Sequence, residues 1–408
     1  VFLLVISIGL LLLDEVKDKN ITGTGSFIFG SFLFFGMRPL YILLEKDYTL
    51  FQYYFYVTNF GILIAPAMWW AAAGLYTFKI GSKFIFNNLT NTLAKFTKNS
   101  ISDNFNSSAQ TKYFLIAICT ATFPIIYSLS RVRLGLYNQA SGAYLYDLPI
   151  VIQSVVCFVV LIFAREFFIK KSWKNFLFSL SSIIYLFYFT LQMRNISLFR
   201  GFYLTGIMII GISLVHLFFN SKVSYSWLIV PIVVIQPIFQ ALGDKRAISN
   251  LDLNLGEFFQ NIFQGGIFRS YWDFYSSAGD INIFDTFVAA FNAKPEWYPT
   301  ILSWLYVPFH LIPRAIWPSK PISGILQDVS FADGIPYSPG LIGYFILDGG
   351  KIWMLFSMLL LGIFLGNIDN FLYKLTDGIL KSFLYGTISI IALITTRFFL
   401  WQGFSSTF

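Results

Sequence analysis

Apolar residues in this chain come in long unbroken runs, neither alternating with polar ones as in a half-buried strand nor confined to one helical stripe. Ten such runs can be marked, at 1–13, 21–37, 53–78, 113–129, 148–164, 176–191, 202–219, 227–242, 352–371 and 383–399. Most approach the ~20 residues that carry a helix across a ~30 Å hydrocarbon layer. Strands are excluded, because an open sheet edge cannot lie in hydrocarbon. An outer-membrane barrel would show weak alternating segments instead. The pattern predicts an all-α, polytopic integral membrane protein with ten or more spanning helices. It falls into an N-terminal helix bundle over 1–242, a large external loop over 243–351, and C-terminal helices over 352–408.

The polar connections set an orientation. Lys79, Lys83, Lys95, Lys98 and Lys112 fall between the third and fourth runs. Arg165, Lys170, Lys171 and Lys174 follow the fifth, Lys222 the seventh, and Lys374 and Lys381 the ninth. Basic residues gather on the cytoplasmic side, so these connections are assigned inside. Segments 38–52, 130–147, 192–201 and 243–351 are then outside. The same alternation puts 14–20 inside and Val1 outside. The chain opens at Val1 within an apolar run, with no basic n-region and no small-residue cleavage site. A helix cut short is expected there rather than a signal peptide. No internal repeat pairs the two halves, which counts against an inverted-repeat transporter.

Composition agrees. Of 408 residues, 56% are hydrophobic and only 12% charged, where a soluble domain carries about 25% charged. Mean hydropathy is +0.67. A soluble enzyme, a disordered regulator and a nucleic-acid binder are excluded. The net charge of +8 divides unevenly: the lysines account for much of the inside, and apart from Arg165 every arginine is assigned outside. Cys119 and Cys157 lie within apolar runs and read as small core residues. The two histidines form no zinc-binding pattern. Asn-x-Ser/Thr sequons at Asn20, Asn88, Asn106 and Asn195 fall on both sides and carry no meaning.

The stretch 243–351 breaks the rhythm, and a structureless connection of that length is implausible. Apolar residues at helical spacing in 255–263 and 284–291, and the Pro308-interrupted run 298–311, predict short helices on or dipping into the membrane surface. Four of the ten tryptophans lie here: Trp272, Trp297, Trp304 and Trp317. They suit an interfacial aromatic belt. Trp272 and Trp317 also suit stacking on sugar rings.

Pro313, Pro318 and Pro321 forbid a regular helix and hold Arg314 and Lys320 in a stiff segment. A cation there can snorkel to headgroups or clamp a phosphate, for which the planar Arg fork is well shaped. Lys245, Arg246, Arg269 and Arg397 are further external cations that could converge with them. A pyrophosphate bearing a lipid tail fits such a face, its tail between helices and its phosphates at the interface. No Asp-x-Asp spacing indicates a metal. One base suffices to take a proton from an acceptor hydroxyl. His310, Asp273 and Asp348 are the candidates, each equally suited to a structural hydrogen bond. A histidine beside cations keeps a low pKa and stays a usable base.

Two runs carry a resemblance: Leu-Ile-Pro-Arg-Ala-Ile-Trp-Pro-Ser-Lys-Pro at 311–321, and Ser-Pro-Gly-Leu-Ile-Gly-Tyr-Phe-Ile-Leu-Asp-Gly-Gly at 338–350. Together with the large late loop, they resemble the Wzy-type oligosaccharide repeat-unit polymerases, the O-antigen polymerase family. The resemblance covers about forty residues. It implies a fold like the GT-C transferases and O-antigen ligases, and a bacterial inner-membrane enzyme whose active site faces the periplasm. It implies no metal or cofactor, undecaprenyl-pyrophosphate-linked oligosaccharides as substrates, and a polysaccharide chain-length regulator as partner. Of the family's pyrophosphate-holding arginines, Arg314 matches best by position, with Arg246, Arg269 and Arg397 behind it. The chemistry implied is attack of an acceptor hydroxyl on the anomeric carbon, with loss of the lipid pyrophosphate. Two alternatives stay open: an O-antigen ligase that transfers glycan to lipid A core, and a flippase or transporter of lipid-linked oligosaccharide.

Overall fold

The computed structural model describes residues 1–17, 21–45, 60–100, 197–218, 283–292, 339–375 and 378–396, together with the single positions 173, 177 and 180. Every regular element among the described residues is helical. In chain order these are α1 (Phe2–Lys17), α2 (Gly23–Phe32), a π-turn (Leu33–Met37), α3 (Arg38–Glu45), α4 (Phe60–Ser82), α5 (Asn87–Ser100), α6 (Ser197–Phe218), α7 (Ile283–Asn292), α8 (Gly340–Lys374) and α9 (Ile379–Thr395). The apolar runs at 113–129, 148–164, 176–191 and 227–242, and the short helices expected at 255–263 and 298–311, lie outside the described residues.

Among the described residues, two stretches are long and apolar enough to cross a membrane, Gly23–Leu44 and Gly349–Lys374. The first is continuous through α2, the π-turn and α3. It therefore runs on through Arg38, where the sequence pattern predicts an external loop from 38. Pro39 does not end it. A proline lacks the N–H that an α-helix needs and crowds the preceding turn; here the wider π-turn sits immediately before it.

Helix α8 is the spine. It packs closely along α4, and the reason is the absence of side chains at the crossing. A Cβ at Gly362 would overlap the Phe78 carbonyl, one at Gly366 the Ser82 carbonyl, and one at Gly81 the Leu359 carbonyl. Gly362 and Gly366 form the small-xxx-small spacing that lets helix backbones touch without a hydrophobic driving force. Around this seam lie Phe27, Leu75, Phe78, Met354, Met358 and Leu361, all buried. Phe27 and Phe78 stack at 4.5 Å between centroids.

A second crossing joins α9 to α6, where Gly386 faces Ser213 and the Ile209 carbonyl. His216 Nδ1 hydrogen-bonds Ser382 Oγ at 2.9 Å and its ring lies on Tyr385. Several hydroxyls, half-buried at Thr77 and buried at Thr395 and Thr396, bond back to the preceding turn: Thr77 to Ala73, Thr395 to Ile391 and Thr396 to Leu393, at 2.6–2.8 Å. Such back-bonding lets a hydroxyl sit among apolar side chains without an orphaned donor.

Helix α8 is broken near its start. Gly350 has φ 85° and ψ −176°, a region open in practice to glycine alone. The apolar run predicted to begin at 352 is thus preceded by another helical segment, 340–349. Leu341, Ile342, Tyr344, Phe345 and Ile346 of that segment are all buried. It packs against α7, so both helices of the predicted external loop that are described belong to the core. Helix α7 fulfils the helix expected at 284–291, but Ile283, Phe284, Phe287 and Val288 are 0–3% exposed. It is a core helix, not a surface-lying one, because its apolar residues fill the space between Phe35 and Gly343.

Candidate functional site

Two polar centres lie at opposite ends of the bundle. At one end, α2 begins with free backbone N–H groups, as every helix does. Asp369 of α8 takes three donors there: Gly23 N at 2.7 Å, Thr24 N at 2.9 Å and Thr24 Oγ1 at 2.6 Å. Thr22 caps the same turn by accepting from Gly25 N. A carboxylate also complements the partial positive charge of a helix N-terminus. Nearby, Lys79 pairs with Asp14 and Glu15. Asn367 bonds the backbone at Phe84 and Phe86, while Asn370 and Lys374 bond Thr90. Lys79, Thr90 and Lys374 in these contacts belong to connections that the charge pattern assigns to the cytoplasmic side.

At the other end sits the candidate site. Arg38 and Asp285 form an ion pair whose side chains are 1% and 0% exposed. Arg38 Nη2 donates to Asp285 Oδ2 at 2.7 Å and Nε to Oδ1 at 3.3 Å. This side-on fork uses both carboxylate oxygens. Arg38 also lies against the Tyr41 ring at 5.4 Å. Phe35 stands edge-on to Phe284 and Phe287, at 6.4 and 5.1 Å, and closes the apolar wall. Arg38 Nη1 is buried with no hydrogen-bond acceptor among the described residues.

Two further elements meet beside this pair. Gly340, at φ 67°, starts α8 where a Cβ would strike Ile283, Phe35 and the Thr396 carbonyl. Leu341 N donates to that same carbonyl at 3.2 Å. The end of α9, the start of α8, α7 and the π-turn thus converge on one junction. In the chain, Arg397 follows Thr396 directly.

Among the residues singled out from the sequence, His310, Asp273, Arg314, Lys320, Arg269, Arg246, Lys245, Arg397, Trp317 and Trp272 lie outside the described residues. Asp348 falls within α8, two positions before the Gly350 break, with its side chain outside the description. The junction described here is therefore built from other residues. Arg38 and Asp285 carried a usable signal. Each is a lone charge inside an apolar stretch of a charge-poor chain, and such charges require a partner. The sequence offers no way to say that the two partner each other across 247 positions.

Lys351, just past the break, points its ammonium over Phe291 at 3.9 Å and toward Trp70 at 5.9 Å. These are cation–π distances, and they tie the kink of α8 to the end of α7. A scan against protein-family models finds no match, and neither the curated proteins nor the solved structures searched contain one.

Proposed function

We propose that this chain is a polytopic inner-membrane glycosyltransferase that polymerises lipid-pyrophosphate-linked oligosaccharide repeat units at the periplasmic face. The observation that carries the reading is the junction at Arg38–Asp285. There, helices from the late loop are drawn into the bundle and pinned by a buried ion pair. This is the end to which the sequence assigns its arginines. A loop fixed in this way can hold a rigid site at the lipid boundary, as precise positioning of a reacting centre requires. Membrane insertion is supported by the flank of the second apolar stretch. Ile352 and Tyr373 there are 81% and 82% exposed. Apolar area of that kind suits a lipid surround.

In the proposed reaction, an acceptor sugar hydroxyl attacks the anomeric carbon of the lipid-linked glycan. The new C–O bond forms as the bond to pyrophosphate breaks, and the hydroxyl proton passes to His310, Asp273 or Asp348. Arg314 and Lys320 hold the departing pyrophosphate, with Arg269, Arg246, Lys245 and Arg397 as further cations. Fixed positive charge at the leaving group acts where negative charge develops. Trp317 and Trp272 stack on sugar rings. A chain-length regulator is the expected protein partner.

The test is polymerisation by the purified protein in nanodiscs, supplied with a synthetic undecaprenyl-pyrophosphate oligosaccharide. A ladder of glycan lengths is expected. Arg314→Ala should lower the rate roughly 10- to 150-fold, equivalent to a lost charge-assisted contact of ~1.5–3 kcal/mol, with the thermal melt unchanged. Normal rates in Arg314→Ala would remove the clamp. Transfer only to lipid A core would make it a ligase, and translocation without new bonds a transporter.

A further inference from the structure

The connection after α4 is assigned to the cytoplasm as a basic loop, yet residues 87–100 of it form α5. That helix has three faces. Asn87, Thr90 and Ala94 are spaced to share one side, and Asn87 and Thr90 bond there to Asn370 and Lys374 of α8. Asn88, Asn91 and Lys95 form a second, exposed side. The third side is apolar and lies exposed among the described residues. Leu89 is 56% exposed, and in the turn entering the helix Phe84 and Phe86 are each 55% exposed. Ile85, at 43%, continues the patch, and Ile80 at the end of α4 carries it onto the bundle wall.

A soluble face with five large apolar side chains in the open is unfavourable at ~25 cal/mol per Å² of apolar area. The usual remedy, folding the apolar stripe inward, is blocked: hydrogen bonds to Asn367, Asn370 and Lys374 hold the polar stripe against the protein instead. The registry is thus set to point the apolar stripe away from α8, beside exposed Ile80 at the end of α4. Lys83 and Lys95 lie exposed beside it, where ammonium groups would meet lipid phosphates.

We infer that α5 and the turn before it form an interfacial anchor, lying in the lipid–water boundary of the leaflet where α8 ends. Phe84, Phe86 and Leu89 enter the acyl layer, and Lys83 and Lys95 sit at headgroup level. The inference rests on the membrane reading above but not on the transferase chemistry.

The experiment uses the full chain in nanodiscs, with Cys119→Ala and Cys157→Ala and one bimane-labelled cysteine at a time. Leu89→Cys and Phe84→Cys should be quenched by bromine-labelled lipid at least half as strongly as Ile352→Cys on α8. Asn91→Cys should be quenched by aqueous iodide instead. Iodide quenching of Leu89→Cys and Phe84→Cys equal to that of Asn91→Cys would overturn the anchor. So would shielding from both quenchers, the mark of a protein partner or a second copy on this face. If Ile352→Cys also escaped lipid quenching, the membrane reading itself would fall, and the anchor with it.

Discussion

Arg38 and Asp285 show what a single charge demands in an apolar interior. Two ions removed from water are costly to desolvate, and the pair repays this only by close, hydrogen-bonded geometry. Removing one partner strands the other. Asp285→Ala should therefore destabilise the protein by about 3–5 kcal/mol, read as a lower thermal midpoint in detergent. The double variant Arg38→Met with Asp285→Leu should recover most of that loss, since apolar residues of similar size replace such pairs at little penalty. If the double variant were as unstable as the single one, the pair would hold more than its own two charges. The residue scale is also where sequence reading was weakest. Lone charges in apolar runs announce that a partner exists, and Pro39 after Arg38 reads as an end of helix. The partner's identity, and the π-turn that carries the helix past Pro39, depend on three-dimensional proximity that spacing does not encode.

At the scale of elements, apolar run length was the legible quantity. The runs at 1–13, 21–37, 53–78, 202–219, 352–371 and 383–399 each overlap described helices. Helix α8 begins at Gly340 because glycine alone accepts the backbone at Gly350, so two helical segments join across a break. Helix α5 went unread because its contact face is polar, the reverse of the usual amphipathic rule. Glycine at the α4–α8 crossing gives a prediction with a built-in contrast. Gly362→Val places carbon against the Phe78 carbonyl, where the backbone cannot yield. It should lower stability by about 1–3 kcal/mol or more, as overpacking does. Gly74→Ala meets the end of the Met354 side chain, which can turn aside, and should leave the thermal midpoint within about 0.5 kcal/mol of the parent. Equal effects at both positions would argue against a backbone-tight seam.

For the whole molecule, the two polar ends define a polarity that the charge pattern also predicts. Asp14, Lys79, Thr90, Asp369 and Lys374 gather at one end, while Arg38, Asp285 and the Thr396 carbonyl gather at the other. In sealed vesicles, a membrane-impermeant maleimide should modify Asn88→Cys only from the cytoplasmic side. Leu44→Cys, at the end of the first apolar stretch, should react only from the opposite side. Modification of both from the same side would refute the alternation of helices. The cationic and proline-rich positions chosen from the sequence, Arg314 and Lys320 foremost, belong to a part of the chain that the description does not reach. The junction of α7, α8 and α9 places its two nearest flanks.

The long span between Arg38 and Asp285 has a consequence in time. At about 5–20 residues per second, the 247 positions separating them take a ribosome roughly 12–50 s to synthesise. The N-terminus of α2 waits longer still, since Asp369 lies 346 positions beyond Gly23. Throughout that interval the first helices carry an unneutralised guanidinium and a helix end capped by Thr22 alone. The nascent N-terminal half is thus marked as unfinished by its own chemistry. A chain interrupted before residue 285 would keep that mark permanently, as a exposed charge in an apolar setting for quality-control proteases to act on.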